Sequence, residues 1–202
     1  MENIEGYIVK IIGIIIIGTL YKLLDTPKKS STQFKVAFEI LKTKIIRNNI
    51  LSPFNPPISK SQYLELKSSI DFKIPDEFIW LLKEVNGQRS ISTPLFNSYY
   101  FLSSVQISET WTNLYNLLNK GAFREKVFSS DASIINSWWN SYWIPFATNK
   151  HGDYLCIDMG PGIQGNEGQV IEVVHESGER TLHSKSFIEW FECLGNEMEV
   201  KK

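Results

Sequence analysis

The stretch Trp143–His175, WIPFATNKHGDYLCIDMGPGIQGNEGQVIEVVH, decides the fold of this chain. Residues 154–158 alternate, with Tyr154, Cys156 and Asp158 on one face and two aliphatic residues on the other, which is typical of a half-buried strand. A glycine-rich segment, 160–168, interrupts this pattern before β character resumes over 169–174. The stretch therefore predicts two antiparallel strands joined by a long loop.

The composition limits the class of partner. Lys and Arg total 21 against 22 Asp and Glu, so the net charge is −1. A nucleic-acid-binding domain needs a basic excess or stripe, so we expect no nucleic acid partner. The two cysteines, Cys156 and Cys193, lack metal-type spacing and are typical of free cytosolic thiols.

The N-terminus differs from the rest of the chain, because residues 8–24 form an apolar run interrupted only by two lysines. A helix of that length spans roughly 25 Å, the short end for crossing a bilayer. We favour a membrane anchor over a buried element of the fold. A secretory signal fits poorly, since Glu2 and Glu5 precede the run and no cleavage site follows it. More lysines follow the run than precede it, which predicts a cytoplasmic domain tethered to the inner face of the membrane.

Helical periodicity and turn signals outline the remaining elements. Two pairs of Ser with Gln or Glu at capping-box spacing begin helices at residues 59 and 186. The predicted helices are 34–50, 59–69, 74–86, 108–120 and 186–193. The predicted strands are 99–102, 154–158, 169–174 and 180–183. Helices thus lie first and last around an antiparallel meander, which is an α+β arrangement. The predicted regions are a hydrophobic segment 1–25, a linker 26–33, a folded domain 34–195 and a polar tail 196–202.

The sequence lacks a recognisable catalytic or cofactor motif. The loop 160–168 fails as a phosphate-binding loop because it leads into a strand, where such loops lead into a helix. A metal site or an acid–base pair could be built from three histidines and three nearby acids: His151, His175, His183, Asp153, Asp158 and Glu172. Their spacing, however, fits no known pattern. We expect no metal, no cofactor and no catalysis; an enzyme using Asp153, Asp158 and His175 is the alternative. Support of turns and hairpins is assigned instead to Gly152, Asp153, Asp158, Gly168 and Gln169.

Aromatic residues are concentrated just before the strand pair, at Trp138, Trp139, Tyr142 and Trp143. Adjacent residues of an extended segment point to opposite sides, so we expect one of Trp138 and Trp139 to be exposed or covered by a partner. Function is often carried by loops on a rigid sheet. The predicted partner-facing residues are therefore Trp138, Trp139, His151, Glu167 and Glu176.

Three segments together resemble the SUKH superfamily, in its Smi/Knr-type cell-wall-assembly-regulator branch. They are Asn55-Pro56-Pro57-Ile58-Ser59 continuing to Leu64, Ile74-Pro75-Asp76 continuing to Asn86-Gly87-Gln88, and Trp139 to Trp190. The last contains Trp143-Ile144-Pro145-Phe146-Ala147 and Gly152-Asp153-Tyr154-Leu155-Cys156-Ile157-Asp158. The resemblance covers roughly residues 34–195, so the predicted domain is SUKH-like; the apolar run 8–24 is not part of the family pattern.

The resemblance implies a central, mostly antiparallel sheet flanked by helices. It also implies a non-enzymatic module that binds a protein partner. Many bacterial members are immunity proteins that neutralise a cognate toxin, whereas fungal relatives regulate cell-wall synthesis. We therefore expect an immunity protein for a polymorphic toxin, with a scaffold or regulator of envelope synthesis as the alternative.

Overall fold

The computed structural model describes residues 31–47, 52–89, 93–124, 128–130 and 132–200. The described residues from Phe34 onward belong to one compact unit. The apolar run 8–24 lies outside the described residues, so its assignment as a membrane anchor stays a prediction. Among the helices within the described ranges, none is long and apolar enough to span a membrane.

The helices of the described ranges largely follow the predicted ones: α1 Ser31–Arg47, α2 Lys60–Ser69, α3 Asp76–Glu84, α4 Ser104–Asn119 and α5 Phe187–Val200. The predicted capping box of α2 is confirmed, with the Ser59 hydroxyl accepting from the Gln62 backbone N–H at 3.2 Å. The Gln62 side chain in turn accepts from the Ser59 backbone N–H at 2.9 Å. Two backbone donors that α2 cannot satisfy internally are thereby paired.

The strands of the described residues form one six-stranded sheet in the order β1-β3-β4-β5-β6-β2. Their bounds are β1 Tyr100–Phe101, β2 Ser129–Ser130, β3 Trp143–Thr148, β4 Tyr154–Asp158, β5 Gln169–Val173 and β6 Glu179–Ser184. Neighbours pair antiparallel except β2, which runs parallel to β6. The predicted α+β fold with a central, mostly antiparallel sheet is confirmed.

Helices cover one face of the sheet through a cluster of aromatic rings. Phe146 of β3 lies 5.5 Å from Phe187 and 4.9 Å from Trp190 of α5, measured between ring centroids. Phe78 of α3 lies 6.1 Å from Phe146, and Phe34 of α1 packs on α5 in turn. Edge-to-face contacts of this kind add to the stability gained from area burial. The helix-covered face thus holds the aromatic core.

Two elements differ from prediction for local reasons. Helix α4 begins four residues earlier than residue 108, because Ser103 and Gln106 form a second capping box. Strand β3 was not predicted as a strand, because Pro145 lies within it. Pro145 is tolerated at a bulge between itself and Ala147, next to the end of the short strand β1.

The Asn-Gly-Gln segment after α3 connects distant parts of the chain. The Asn86 side-chain oxygen accepts from the Ser104 backbone N–H at 2.7 Å. The Gln88 side-chain oxygen accepts from the Phe101 backbone N–H at 2.9 Å, and its amide donates to the Thr93 carbonyl at 3.2 Å. Asn86 and Gln88 are both buried. This part of the family-like pattern therefore stabilises the fold.

Candidate protein-binding surface

The second face of the sheet carries an irregular segment, which packs on it through Trp138 and Trp139. We call residues 132–142 the strap and residues 160–168 the glycine loop. The two are joined by backbone hydrogen bonds: Gly162 N–H donates to the Ser133 carbonyl at 2.9 Å, and Gln164 N–H donates to the Ala132 carbonyl at 3.1 Å. The start of the strap and the glycine loop are therefore joined at one end of the sheet.

A buried pair of polar side chains holds this surface in place. Asp158 ends β4, Gln169 begins β5, and both are fully buried. The Gln169 amide nitrogen donates to Asp158 Oδ2 and to the Ser133 carbonyl, each at 2.8 Å. Its oxygen accepts from Asn166 N–H at 3.0 Å, and Asp158 Oδ1 accepts from Gly160 N–H at 3.0 Å. One side chain thus links strand, strap and glycine loop, and a saturated network of this kind favours a single arrangement.

Burial raises the pKa of Asp158 to about 6, although the hydrogen bonds from Gln169 and Gly160 act in the opposite direction. The carboxyl group is therefore mostly ionised at neutral pH, with two donors to compensate its charge. Asp158 and Gln169 have the structural role predicted for them.

The middle of the strap is held by a buried arginine on β6. Arg180 is 3% exposed, and its guanidinium lies 5.0 Å from the centre of the Trp138 ring. It donates from Nε to the Trp138 carbonyl at 3.1 Å and from Nη1 to the Val174 carbonyl at 2.9 Å. Burial lowers the pKa of Arg180 to about 10, so the side chain stays charged at neutral pH. Carbonyl groups and an aromatic face satisfy this cation.

Three large apolar side chains on the strap and the glycine loop are exposed. Ile163 is 97% exposed, Tyr142 is 50% exposed and Ile135 is 42% exposed. A Cβ on Gly160 would lie 2.8 Å from Tyr142 Cβ, and one on Gly162 would lie 3.0 Å from the backbone of Ile134, so the two segments are adjacent. We call Ile135, Tyr142 and Ile163 the apolar apex. Exposed apolar side chains on adjacent segments that are held by hydrogen bonds are typical of a protein contact site.

The structure places the predicted partner-facing residues at two ends of the sheet. His151 and Glu176 are exposed in the β3–β4 and β5–β6 turns, which Asp153 joins by accepting from His175 N–H at 2.7 Å. Glu167 is exposed in the glycine loop, at the opposite end of β4. A five-residue strand separates these ends by roughly 15 Å. The five residues are therefore not brought together in one site.

The expectation that one of the paired tryptophans would be exposed is wrong. Trp138 is 8% exposed and Trp139 is 2% exposed. Adjacent side chains point to opposite sides only in an extended segment, whereas the strap is irregular and buries both indoles. Trp138 packs against Arg180 and the His175 ring, whereas Trp139 lies edge-on to Trp143 at 5.6 Å between ring centroids. Their role in this structure is to pack the strap onto the sheet.

The acids and histidines that could have formed a metal or catalytic site lie in separate places: Asp153 and Asp158 are at opposite ends of β4, whereas Glu172 Oε2 and His183 Nε2 lie 3.1 Å apart. Asp153 Oδ2 accepts from the Asn149 side chain at 2.7 Å and so supports its own turn, as predicted. Asp158 lies in the network at the other end of β4. Among the described residues, no group of three His, Cys, Asp or Glu side chains is arranged to hold a metal ion.

The comparison with protein-family models matches residues 57–193 to the SMI1 / KNR4 family (SUKH-1). A search of curated proteins gives no match. The matched range begins before α2 and extends into α5, so it includes the whole sheet, the strap and the glycine loop. Members of this family are generally non-catalytic immunity or regulatory proteins. Because the match covers more than half of the chain, this protein belongs to the SMI1 / KNR4 family (SUKH-1).

Proposed function

We propose that this protein is an immunity protein that binds and neutralises a cognate toxin domain, with the apolar apex at the centre of the contact. Family membership supports a protein partner. The observation that carries the location is Ile163, which is 97% exposed at the tip of a loop held by hydrogen bonds on both sides. An isoleucine in that position contributes little to the fold and gains most from being covered by another protein.

The construction of the loop favours tight binding. A segment that is already ordered loses little conformational entropy when a partner covers it. Full burial of an isoleucine side chain contributes about 1.5–3 kcal/mol, which corresponds to roughly a 10- to 150-fold change in Kd. The neighbouring Tyr142 adds an aromatic ring with a polar tip, a residue type enriched where interfaces gain most of their energy.

The predicted partner-facing residues have different positions relative to the proposed contact. Glu167 lies in the glycine loop and is proposed as a polar rim residue beside the apex. His151 and Glu176, at the other end of the sheet, are proposed as a separate partner-facing pair. Trp138 and Trp139 support the contact indirectly, by packing the strap that carries Ile135 and Tyr142.

The proposal is tested by recovery of tagged full-length protein from its native cells, followed by mass spectrometry of what is bound. A single toxin-domain partner in equal amount is the expected result. The complex is then measured with Ile163→Ser, which should raise Kd at least 10-fold without lowering Tm. Leu64→Ser is the matched control, because Leu64 is also exposed, at 56%, but lies on α2. Equal effects of the two variants would show that the apex is not the contact.

A regulator of envelope or cell-wall synthesis is the second candidate, and the apolar run 8–24 favours it. A regulator of this kind would act at the inner face of the membrane, with the run as its tether. Recovery of several envelope proteins in place of a toxin would support it. Cell fractionation that leaves the full-length protein outside the membrane fraction would count against the tether.

A further inference from the structure

A cleft of about 260 Å³ lies on the helix-covered face of the sheet, between that face and α5. Its walls include Phe96 and Trp190, and its polar lining includes Tyr99, Glu172 and His183. The volume is many times the roughly 10–15 Å³ that one water molecule needs. We call it the Glu172 cleft. It has room for a side chain supplied from outside.

The polar groups of the cleft are arranged around one carboxylate. Tyr99 is 6% exposed, and its hydroxyl donates to Glu172 Oε1 in a short hydrogen bond. His183 Nε2 lies 3.1 Å from Glu172 Oε2. The side chain of Glu172 is 26% exposed, so it faces both the packed interior and the open cleft. The hydrogen bond from His183 lowers the pKa of Glu172, with a smaller contribution from Tyr99, and the carboxylate is ionised at neutral pH.

The carboxylate retains capacity for a further ligand. Each oxygen of an ionised carboxylate accepts about two hydrogen bonds, and each oxygen of Glu172 has one partner among the contacts above. Among the described residues that line the cleft, Glu172 is the one carboxylate. Aromatic rings stand beside it, and such rings attract cations on their faces. The cleft therefore combines a fixed anion, an aromatic wall and empty volume.

The geometry points to a binding site for a cationic side chain, namely an arginine presented by the protein partner. A planar guanidinium donates two parallel hydrogen bonds and fits the two free acceptor positions of one carboxylate. A guanidinium also packs against aromatic side chains better than an ammonium group does, and Phe96 and Trp190 line the cleft. This inference rests on the proposed function only in taking the arginine from a protein partner, and the cleft chemistry is testable without one.

The test uses the full-length protein and the peptide acetyl-Gly-Arg-Gly-amide as the probe, at low ionic strength. The matched control peptide carries citrulline, which has the shape of arginine without its charge. We expect saturable binding of the arginine peptide and none of the citrulline peptide. A lysine peptide should bind more weakly, and equal binding of lysine would overturn the assignment to a guanidinium.

A cysteine at the edge of the cleft reports its occupancy without any substitution. Cys193 lines the cleft and is exposed, whereas Cys156 is fully buried. Burial also raises the pKa of the Cys156 thiol, so a maleimide reagent should modify Cys193 selectively in the folded protein. The arginine peptide should slow alkylation of Cys193, and the citrulline peptide should not. Equal alkylation rates with both peptides would overturn the inference.

The Glu172→Gln variant tests the carboxylate itself, because the amide keeps an acceptor for Tyr99 and loses the charge. We expect arginine-peptide affinity to fall about 10-fold or more, the effect of losing one charge-assisted hydrogen bond. Glu65→Gln on α2 is the control, since Glu65 is exposed and does not line the cleft. Unchanged affinity in a folded Glu172→Gln protein would overturn the site. If a toxin binds wild type and Glu172→Gln equally, the arginine site is refuted and the immunity proposal is unaffected. If the arginine peptide binds but no toxin partner is recovered, the immunity proposal is refuted and the arginine site is unaffected.

Discussion

The buried Asp158 predicts that this protein is more stable in mild acid than its composition would suggest. The pKa of Asp158 is about 6 in the folded protein, against 3.8 for an ordinary aspartate. Because this pKa is raised, the Asp158 carboxyl group binds its proton more tightly in the folded protein than in the unfolded chain. The contribution of Asp158 to the free energy of unfolding therefore rises as the pH falls from 6 to 4, and it is lost again as the pH rises through 6.

The size of this effect follows from the two pKa values. A pKa difference of about two units corresponds to about 3 kcal/mol, since one unit is about 1.4 kcal/mol. Asp158 is fully buried, so solvent screening reduces the figure little. Other acids act in the opposite direction, as Glu172 does with its lowered pKa. The contribution of Asp158 must therefore be isolated by comparison with a variant that cannot titrate there.

Asp158→Asn is that variant. The asparagine removes the cost of a buried charge, but its amide nitrogen faces either the Gln169 amide nitrogen or, after rotation, another donor. A donor left without an acceptor costs about 1–3 kcal/mol, so the two proteins should have similar stability at pH 7. The stability of wild type relative to Asp158→Asn should then grow by up to about 3 kcal/mol as the pH falls to 4.

The assay is urea unfolding of both proteins, followed by tryptophan fluorescence, at half-unit steps from pH 4 to pH 7. The measured quantity is the difference between the two free energies of unfolding at each pH, with a common slope against urea. A difference that stays constant within about 0.5 kcal/mol would show that Asp158 has an ordinary pKa in the folded protein, contrary to this reasoning.

Two further predictions concern how the fold is held. Gly165→Ala places a Cβ 2.0 Å from the Ser133 carbonyl oxygen and should lower the free energy of unfolding by about 3 kcal/mol. In Gly168→Ala the Cβ meets no atom within 4 Å, so the loss should be about 1–2 kcal/mol, caused by the positive φ alone. A lower Tm for Gly168→Ala than for Gly165→Ala would contradict this prediction. Asn86→Ala removes the acceptor of the buried Ser104 N–H. The free energy of unfolding, measured with urea, should therefore fall by about 1–3 kcal/mol. A loss below about 0.5 kcal/mol would show that another acceptor replaces the Asn86 side chain.

Local sequence patterns predicted the regular elements well where one periodicity dominates. The alternation over 154–158 identifies β4, and Ser59 with Gln62 identifies the start of α2. The failures also have local causes. Pro145 removes a backbone donor and hides β3, yet the bulge beside it lets the strand continue. Side chains that cover a sheet from an irregular segment follow no periodicity, so the burial of both Trp138 and Trp139 was not predictable from spacing.

The candidate site was less predictable, because its position depends on hydrogen bonds between segments distant in sequence. Ile163 is unusual in the sequence because it is a large apolar residue within a loop of glycine and polar residues. Its exposure, however, depends on Ser133, whose carbonyl accepts from both Gly162 and Gln169. The grouping of Tyr99, Glu172 and His183 likewise results from three separate elements and from no motif.

The apolar apex and its support have separate chemical roles, and this separation bears on how partner choice can change. Gln169 and Asp158 are fully buried, and they hold the loop whatever side chain occupies position 163. A buried polar network costs desolvation but restricts the number of arrangements that the chain can adopt. Substitutions at Ile163 should therefore change which protein is bound while Tm stays constant. Substitution of Gln169 by leucine should lower Tm and also weaken binding. The leucine cannot make the hydrogen bonds that join the strand, the strap and the glycine loop, so both the fold and the position of the apolar apex are affected.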